Sequence, residues 1–140
     1  MAIRRKISES DGQAALSAVR TALAPVIDNV PAETLLFALD STVAALPRGV
    51  RATAVRYGLE ELATLAPGNS VEVRVPPYGV TQCVAGPRHT RGTPPSVVET
   101  SPALWLAMIT GAMSWEQALA SGDLSASGER SDLGRFFPLF

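Results

Sequence analysis

The spacing of apolar residues changes near residue 70, and this change constrains the fold more than any other feature of the chain. Before it, apolar residues recur every three or four positions, as they do on one face of an amphipathic helix. After it, SVEVRV at 70–75 alternates strictly between apolar and polar side chains, which is typical of a strand with one buried face. Helices followed by strands predict an α/β domain of the α+β kind, in which helices cover a sheet.

Three amphipathic helices are predicted before the change of spacing. Ser10 and Gln13 form a predicted capping box at the start of the first helix, because each side chain can bind a backbone N–H of the other. Pro25 is predicted to close this helix, and Pro31 suits the first turn of the second. Each apolar stripe must pack against another element. The predicted ranges are 10–25, 31–46 and 51–66.

Short strands and one central helix are predicted after residue 70. VTQCVA at 80–85 and SVVET at 96–100 have strand-like composition. Ser101 and Pro102 are an N-cap and a first helical residue, and they open the apolar helix ALWLAMIT. Gly111 is predicted to end this helix in the left-handed conformation that glycine tolerates.

A second short helix and a thin strand are predicted to follow. SWEQALAS begins with a capping box between Ser114 and Gln117 and stops at Gly122. A strand is predicted at 123–127, and Ser131 is predicted to cap a last short helix that runs through Arg135. We therefore expect a single domain over 1–140, with a helical N-terminal half at 1–69 and a strand-rich half with two central helices at 70–140.

The composition argues against several classes of function. A formal net charge of −1 over 140 residues gives no electrostatic case for nucleic-acid binding, for which a basic face is expected. No apolar run reaches the ~20 residues that cross a bilayer, and the N-terminus lacks the apolar core of a secretory signal. The one cysteine, Cys83, can form no internal disulfide and favours a reducing compartment. We expect a cytoplasmic protein with no nucleic-acid partner and no transmembrane segment.

The sequence offers no recognisable catalytic or metal-binding motif. His89 is the one histidine, and a zinc site needs three or four Cys, His or carboxylate ligands. There is no nucleophile elbow, no GxGxxG and no Walker pattern. Cys83 lies in a predicted strand, where a buried and inert thiol is expected. The prediction is a protein that is not an enzyme and has no cofactor and no metal, and an enzyme that uses Cys83 or His89 is the alternative.

The loop GPRHTRGTPP at 86–95 is the best polar candidate for a binding site. Arg88, His89 and Arg91 could hold the carboxylate or phosphate head of a ligand through charge-assisted hydrogen bonds. Solvated charges on a surface loop are the alternative reading.

Large apolar residues concentrate between 104 and 137, where both tryptophans lie. They are either the ordinary core of a helix-on-sheet domain or the wall of a cavity for an apolar ligand, since such pockets are lined by aliphatic and aromatic groups. The predicted ligand-binding residues are Leu104, Met108, Ile109, Trp115, Leu119 and Phe136.

The order of motifs in ETSPALWLAMITGAMSWEQALASGDLSASGERSDLGRFFPL resembles the sterol carrier protein family. The matching features are Thr110-Gly111 at the end of an apolar helix, the short helix from Trp115 to Gly122, and the strand from Leu124 to Gly128. The preceding stretch, VEVRVPPYGVTQCVAGPRHTRGTPPSVVET, is similar to small actinobacterial members of the family. The resemblance implies a mostly antiparallel sheet of about five strands, helices on one face, and an apolar tunnel that binds lipids, acyl chains or sterols.

Two functions of different classes follow from the sequence. The first is a non-catalytic binding or carrier protein for an apolar or amphipathic small molecule. The second is an interaction or regulatory subunit, because three amphipathic helices precede a domain that needs fewer to cover its sheet. A homodimer is one form that the second function could take.

Overall fold

The structure, a computed structural model, describes residues 5–87 and 96–140. Within these residues the three long helices come first and the strands come after residue 70, as the sequence predicts. The elements are α1 (Glu9–Asn29), α2 (Ala32–Ala45), α3 (Arg48–Leu65), β1 (Val71–Val75), β2 (Gly79–Cys83), β3 (Ser96–Thr100), α4 (Pro102–Ile109), α5 (Trp115–Ser121), β4 (Leu124–Ser127) and a 3-10 helix (Gly134–Phe136).

The strands form one open sheet in the order β2-β1-β3-β4. β1 pairs antiparallel with β2 and parallel with β3, and β3 pairs antiparallel with β4. The sheet is therefore mostly antiparallel, and the predicted α+β class is confirmed. The resemblance implied about five strands, whereas the described residues form four.

One face of the sheet is covered and the other is open to solvent. Val71, Val73 and Val75 of β1 are buried on the covered face, as the alternation predicts. Glu72 and Arg74 point to the open face, where the Arg74 Nε donates a 2.7 Å hydrogen bond to the Glu72 carboxylate. Charged side chains make this open face favourable to solvate, so the apolar core lies on the helical side of the sheet.

Helix α4 lies at the centre of that core. All of its residues after Pro102 are buried, and it packs against both α2 and α3. The Ser101 hydroxyl accepts a hydrogen bond from the Leu104 N–H, which confirms the predicted N-cap. Because this helix is apolar on every side, it can be stable only when other elements surround it.

The predicted signals that bend the chain between α4 and β4 are confirmed. Gly111 and Gly122 both adopt left-handed conformations, with φ of 83° and 85°. Ser114 and Gln117 form the predicted capping box, with hydrogen bonds of 3.1 Å and 2.8 Å in the two directions. Two short helices joined at Gly111 can therefore cover the sheet where one straight helix would overshoot it.

The predicted limits of α1 are wrong at both ends. Ser8, not Ser10, is the N-cap, because its hydroxyl accepts a 3.1 Å hydrogen bond from the Asp11 N–H. The helix also continues through Pro25 to Asn29, whose side-chain amide donates to the Pro25 carbonyl. Val26 and Ile27 pack against the core beyond the proline. This apolar contact offsets the backbone hydrogen bond that Pro25 cannot donate.

The last predicted helix is shorter than expected and is capped by a different residue. Only Gly134–Phe136 forms a 3-10 turn. The Ser131 hydroxyl, the predicted cap, instead donates 3.0 Å to the Gly128 carbonyl. Leu133 is the N-cap and has no side-chain capping hydrogen bond, while the Asp132 carboxylate accepts a 3.0 Å hydrogen bond from the Gly134 N–H.

Candidate ligand groove

The predicted apolar ligand-binding residues lie mostly in the core. Leu104, Met108 and Ile109 are fully buried in α4, and Trp115 is buried at the start of α5. Phe136 is half-buried, while Leu119 is 42 % exposed on the outer side of α5. Four of the six residues are thus brought together as a packed layer.

Aromatic contacts hold this layer to the end of the described chain. The Phe137 ring stacks on Trp115 at 5.8 Å between ring centroids and meets the edge of Trp105 at 5.7 Å. Four surface grooves lie in the described part of the chain, and none of these four is bordered by the six predicted residues. The predicted head-group residues Arg88, His89 and Arg91 lie outside the described residues.

One of these grooves runs between α3 and the edge strand β2, and we call it the β2 groove. It has a volume of about 490 Å³. This volume falls in the usual range of small-molecule sites, about 300–1,000 Å³. Its wall combines N-terminal residues, one face of α3 and the edge of the sheet. The lining residues are Lys6, Ile7, Thr53, Arg56, Leu59, Glu60, Tyr78, Gly79, Val80 and Thr81.

A glycine lets the two walls of the β2 groove approach each other. A Cβ atom built on Gly79 would come within 3.0 Å of the Leu59 Cδ1 and 3.7 Å of the Arg56 Cγ. Any larger residue would push the strand away from α3 or fill the groove. The side chain of Thr81 follows on the same face of β2, whereas Val80 and Gln82 alternate to the other face.

A fixed arginine gives the β2 groove its positive charge. The Arg56 Nε donates a 2.8 Å hydrogen bond to the Tyr78 carbonyl, which anchors the guanidinium across the groove. This bond uses one of the five N–H donors of a guanidinium, so the group can still bind an anion. Lys6 lies on the same lining, and Glu60 carries the opposing charge.

The backbone of the N-terminal segment binds the Glu60 carboxylate. Its carboxylate accepts hydrogen bonds from the Lys6 N–H at 2.7 Å and from the Ile7 N–H at 3.1 Å. Arg56 forms no ion pair with Glu60 among the described residues. The lining holds two cationic side chains, Lys6 and Arg56, and one carboxylate, Glu60, so its formal charge is positive.

A smaller groove of about 260 Å³ lies on the other side of Tyr78. Its lining includes Asp40, Arg51 and the Pro76-Pro77 turn. The Arg51 Nε is buried there without a hydrogen-bond partner among the described residues. Burial, together with the nearby charge of Asp123, raises the pKa of Asp40. Asp40 and Arg51 form no ion pair with each other, and the other residues of the lining are apolar or aromatic.

The cysteine has the properties of a buried structural thiol. Cys83 is fully buried at the end of β2, and burial raises its pKa to about 11. A thiol with this pKa is almost entirely protonated near neutral pH, and the thiolate is the nucleophile. No group of three or more metal-ligating side chains occurs in the residues that the structure describes.

Sequence reasoning missed the β2 groove because its residues share no motif. Ile7, Arg56 and Thr81 come from three separate segments, and each is unremarkable in its own stretch. Gly79 next to a strand was the one available signal, since a glycine there often marks close approach of another backbone or side chain.

Comparison with known families finds a match to a bacterial SCP ortholog family over residues 47–139. This segment is more than half of the chain. The protein belongs to this SCP family. The match confirms the resemblance to sterol carrier proteins that the C-terminal motifs indicated. Comparison with curated proteins found no match.

The matched segment of this SCP-family protein begins just before α3 and ends at Leu139. Both α3 and β2, the two main walls of the groove, therefore belong to the family segment. The N-terminal residues at the groove, α1 and α2 lie outside it. No helix in the described ranges combines the length and the apolar character that crossing a membrane requires.

Proposed function

We propose that this SCP-family protein is a non-catalytic carrier that binds an apolar or amphipathic small molecule, such as a lipid or an acyl chain, in the β2 groove. The observation that supports this most directly is the lining of the groove. It sets the apolar side chains of Ile7 and Leu59 beside the cationic side chains of Arg56 and Lys6 in about 490 Å³.

Binding would be driven by removal of the apolar tail from water. Each 100 Å² of apolar surface buried contributes about 2.5 kcal/mol before the costs of association are subtracted. Leu59 is fixed in the core and Tyr78 is half-buried, so the tail would contact a surface that is already ordered. An anionic head would bind Arg56, which the Tyr78 carbonyl holds in place.

The apolar site predicted from the sequence, between the C-terminal helices and the sheet, remains a prediction, and binding there would require packed side chains to separate. A ligand between the C-terminal helices and the sheet would have to separate side chains such as Leu104 and Met108, which have no exposed surface. Arg88, His89 and Arg91 remain predicted head-group residues. The β2 groove needs no such rearrangement of the core.

A pair of probes tests the head and the tail of the ligand separately. Dansyl-undecanoic acid carries a carboxylate, and its methyl ester has the same tail without the charge. Arg56→Ala should weaken binding of the acid about tenfold, because a charge-assisted bond is lost, and should leave the ester nearly unchanged. Arg20→Ala, on the exposed side of α1 and outside the lining, is the control for loss of one positive charge.

A groove-filling variant tests the position of the tail. Thr81→Trp places a large ring on the groove side of β2 and should weaken both probes at least about tenfold, since the tail loses its apolar contact. Gln82→Trp places the same ring on the other face of the same strand and should leave binding unchanged. Saturable binding with an affinity that neither Thr81→Trp nor Arg56→Ala changes would refute this site.

The absence of catalysis and the cytoplasmic location belong to the same proposal. The buried thiol of Cys83, with its raised pKa, supports a role without a cysteine nucleophile. A single free thiol also fits a reducing compartment. We assign the carrier no cofactor, no metal and no nucleic-acid partner. After dansyl-undecanoic acid has been incubated with the protein, mass spectrometry of the recovered probe should show an unchanged mass.

One observation favours a second function, an interaction subunit. Phe37 is 77 % exposed on the outer side of α2, which lies outside the family segment. A large aromatic residue with this exposure is common at protein–protein contacts. If α2 pairs two copies of the chain, light scattering should give a dimer that Phe37→Ser converts to a monomer. A monomer at every concentration would remove the homodimer form of this function.

A further inference from the structure

The N-terminal residues 5–7, which we call the strap, lie across α3 and are held by its carboxylates. Glu60 accepts hydrogen bonds from the backbone N–H groups of Lys6 and Ile7 at 2.7 Å and 3.1 Å. Arg5 forms a 3.0 Å ion pair with Glu61. Its guanidinium also lies 5.2 Å from the centre of the Tyr57 ring. The strap is thus fixed mainly by polar contacts at the surface.

The strap is a shared wall of three grooves. Lys6 and Ile7 border the β2 groove and also border two further grooves of about 580 Å³ and 550 Å³ on the α1 side of α3. Thr53 lies at the bottom of the β2 groove and of one of its neighbours. Removal of the strap would join these spaces into one trough along α3, from the edge of the sheet to α1.

We propose that the strap is a gate, and that a ligand must displace it from Glu60 to occupy the whole trough. This inference rests on the proposed function of the β2 groove. Lys6 and Ile7 lie between the β2 groove and its two neighbours, so a ligand too long for the β2 groove alone can extend along α3 only when these two residues move away. The strap therefore competes for the site from within the same chain.

The contacts of the strap suit reversible release. The Arg5–Glu61 pair is exposed, and exposed ion pairs stabilise a structure little. The Ile7 side chain is only half-buried. A short segment with few buried apolar contacts opens locally without unfolding the rest of the protein. Glu60, which binds two successive N–H groups, is the latch.

The rate of trypsin cleavage within the strap measures how firmly Glu60 holds it. The two N–H groups that Glu60 binds belong to peptide bonds that trypsin can cut. These are the Arg5–Lys6 and Lys6–Ile7 bonds. Glu60→Ala should speed cleavage here about tenfold, and Glu60→Gln, which keeps one acceptor oxygen, should give an intermediate rate. Asp28→Asn removes the same charge near the far end of α1, about 30 Å along the helix from Ser8, and should leave the rate unchanged.

Binding of the methyl ester of dansyl-undecanoic acid reports the gate, because the uncharged ester does not respond to the loss of the Glu60 charge itself. If the strap competes with the ligand, Glu60→Ala should tighten binding about three- to tenfold, and saturating probe should accelerate cleavage of the wild-type strap, since the coupling must be reciprocal. Binding by Glu60→Ala but not by wild type would support the gate most strongly. Unfolding midpoints check that each variant is folded. If Glu60→Ala does not fold, the same measurements are made on Glu60→Gln.

Three results would overturn the gate, and they differ from one another. Unchanged cleavage in both Glu60 variants would remove the latch. Faster cleavage of the Glu60 variants with unchanged probe binding would show that Glu60 holds the strap but that the strap does not compete with the ligand. No binding by any variant would remove the proposed function and the gate with it, and the cleavage rates would then show whether the latch exists on its own.

Discussion

The indole N–H of Trp105 donates a 3.1 Å hydrogen bond to the backbone carbonyl of Val55, which joins α4 to α3 inside the core. Both residues are fully buried. The bond satisfies the one polar atom of the largest side chain in the core, and it fixes the position of α3, which carries Arg56 and Glu60 on its surface. The geometry of the β2 groove thus depends on a contact deep beneath it.

Loss of this bond should destabilise the protein more than loss of packing alone. We expect Trp105→Phe to lower the free energy of unfolding by about 2–4 kcal/mol, because a buried hydrogen bond and part of a buried ring are both removed. Trp115→Phe is the matched control, since Trp115 is also buried but its indole nitrogen has no hydrogen bond among the described residues. Urea denaturation should give the smaller loss for Trp115→Phe, and equal losses would contradict a role for the hydrogen bond.

Two glycines within helices should respond to alanine with opposite signs. A Cβ on Gly12 of α1 would overlap the ring of Tyr57, so Gly12→Ala should cost about 1–3 kcal/mol through overpacking. A Cβ on Gly49 of α3 meets no atom within 4 Å, so Gly49→Ala should add up to about 1 kcal/mol through helix propensity. Thermal unfolding of the two variants measures both signs. A stabilising Gly12→Ala would show that α1 and α3 do not cross as closely as described.

The thiol of Cys83 should make stability depend on pH in the alkaline range. Burial raises its pKa from 9.0 to about 11, so the folded state holds the proton more tightly than the unfolded state. This contribution is complete below pH 9 and is lost as pH rises from about 9 to about 11. Comparison of wild type with Cys83→Ala by urea denaturation across this range isolates the effect, because other groups titrate equally in both. Parallel curves for the two proteins would mean that the thiol is not shielded from water.

The parts of the fold that could be predicted from the sequence are those with local causes. β1 follows from the alternation of Val71, Val73 and Val75, and α5 follows from the capping box of Ser114. The error at Pro25 arose because tertiary contacts of Val26 and Ile27 override a local helix breaker. Nothing in the local sequence records those contacts.

The candidate site could not be predicted from the sequence for a related reason. The C-terminal apolar cluster has the composition of a core and of a cavity wall alike, and only packing distinguishes the two. The β2 groove depends on pairs such as Arg56 with Tyr78 and Ile7 with Glu60, which are distant along the chain. A motif cannot encode such pairs, although the family match includes most of the lining.

The most direct test of the account is where a bound amphiphile touches the protein. In a titration of methyl-labelled protein with undecanoic acid followed by NMR, the methyl signals of Ile7 and Leu59 should shift saturably, while those of Leu104 and Ile109 stay in place. Saturable shifts confined to Leu104 and Ile109 would move the site into the core, and no saturable shift at any of the four would contradict the carrier function.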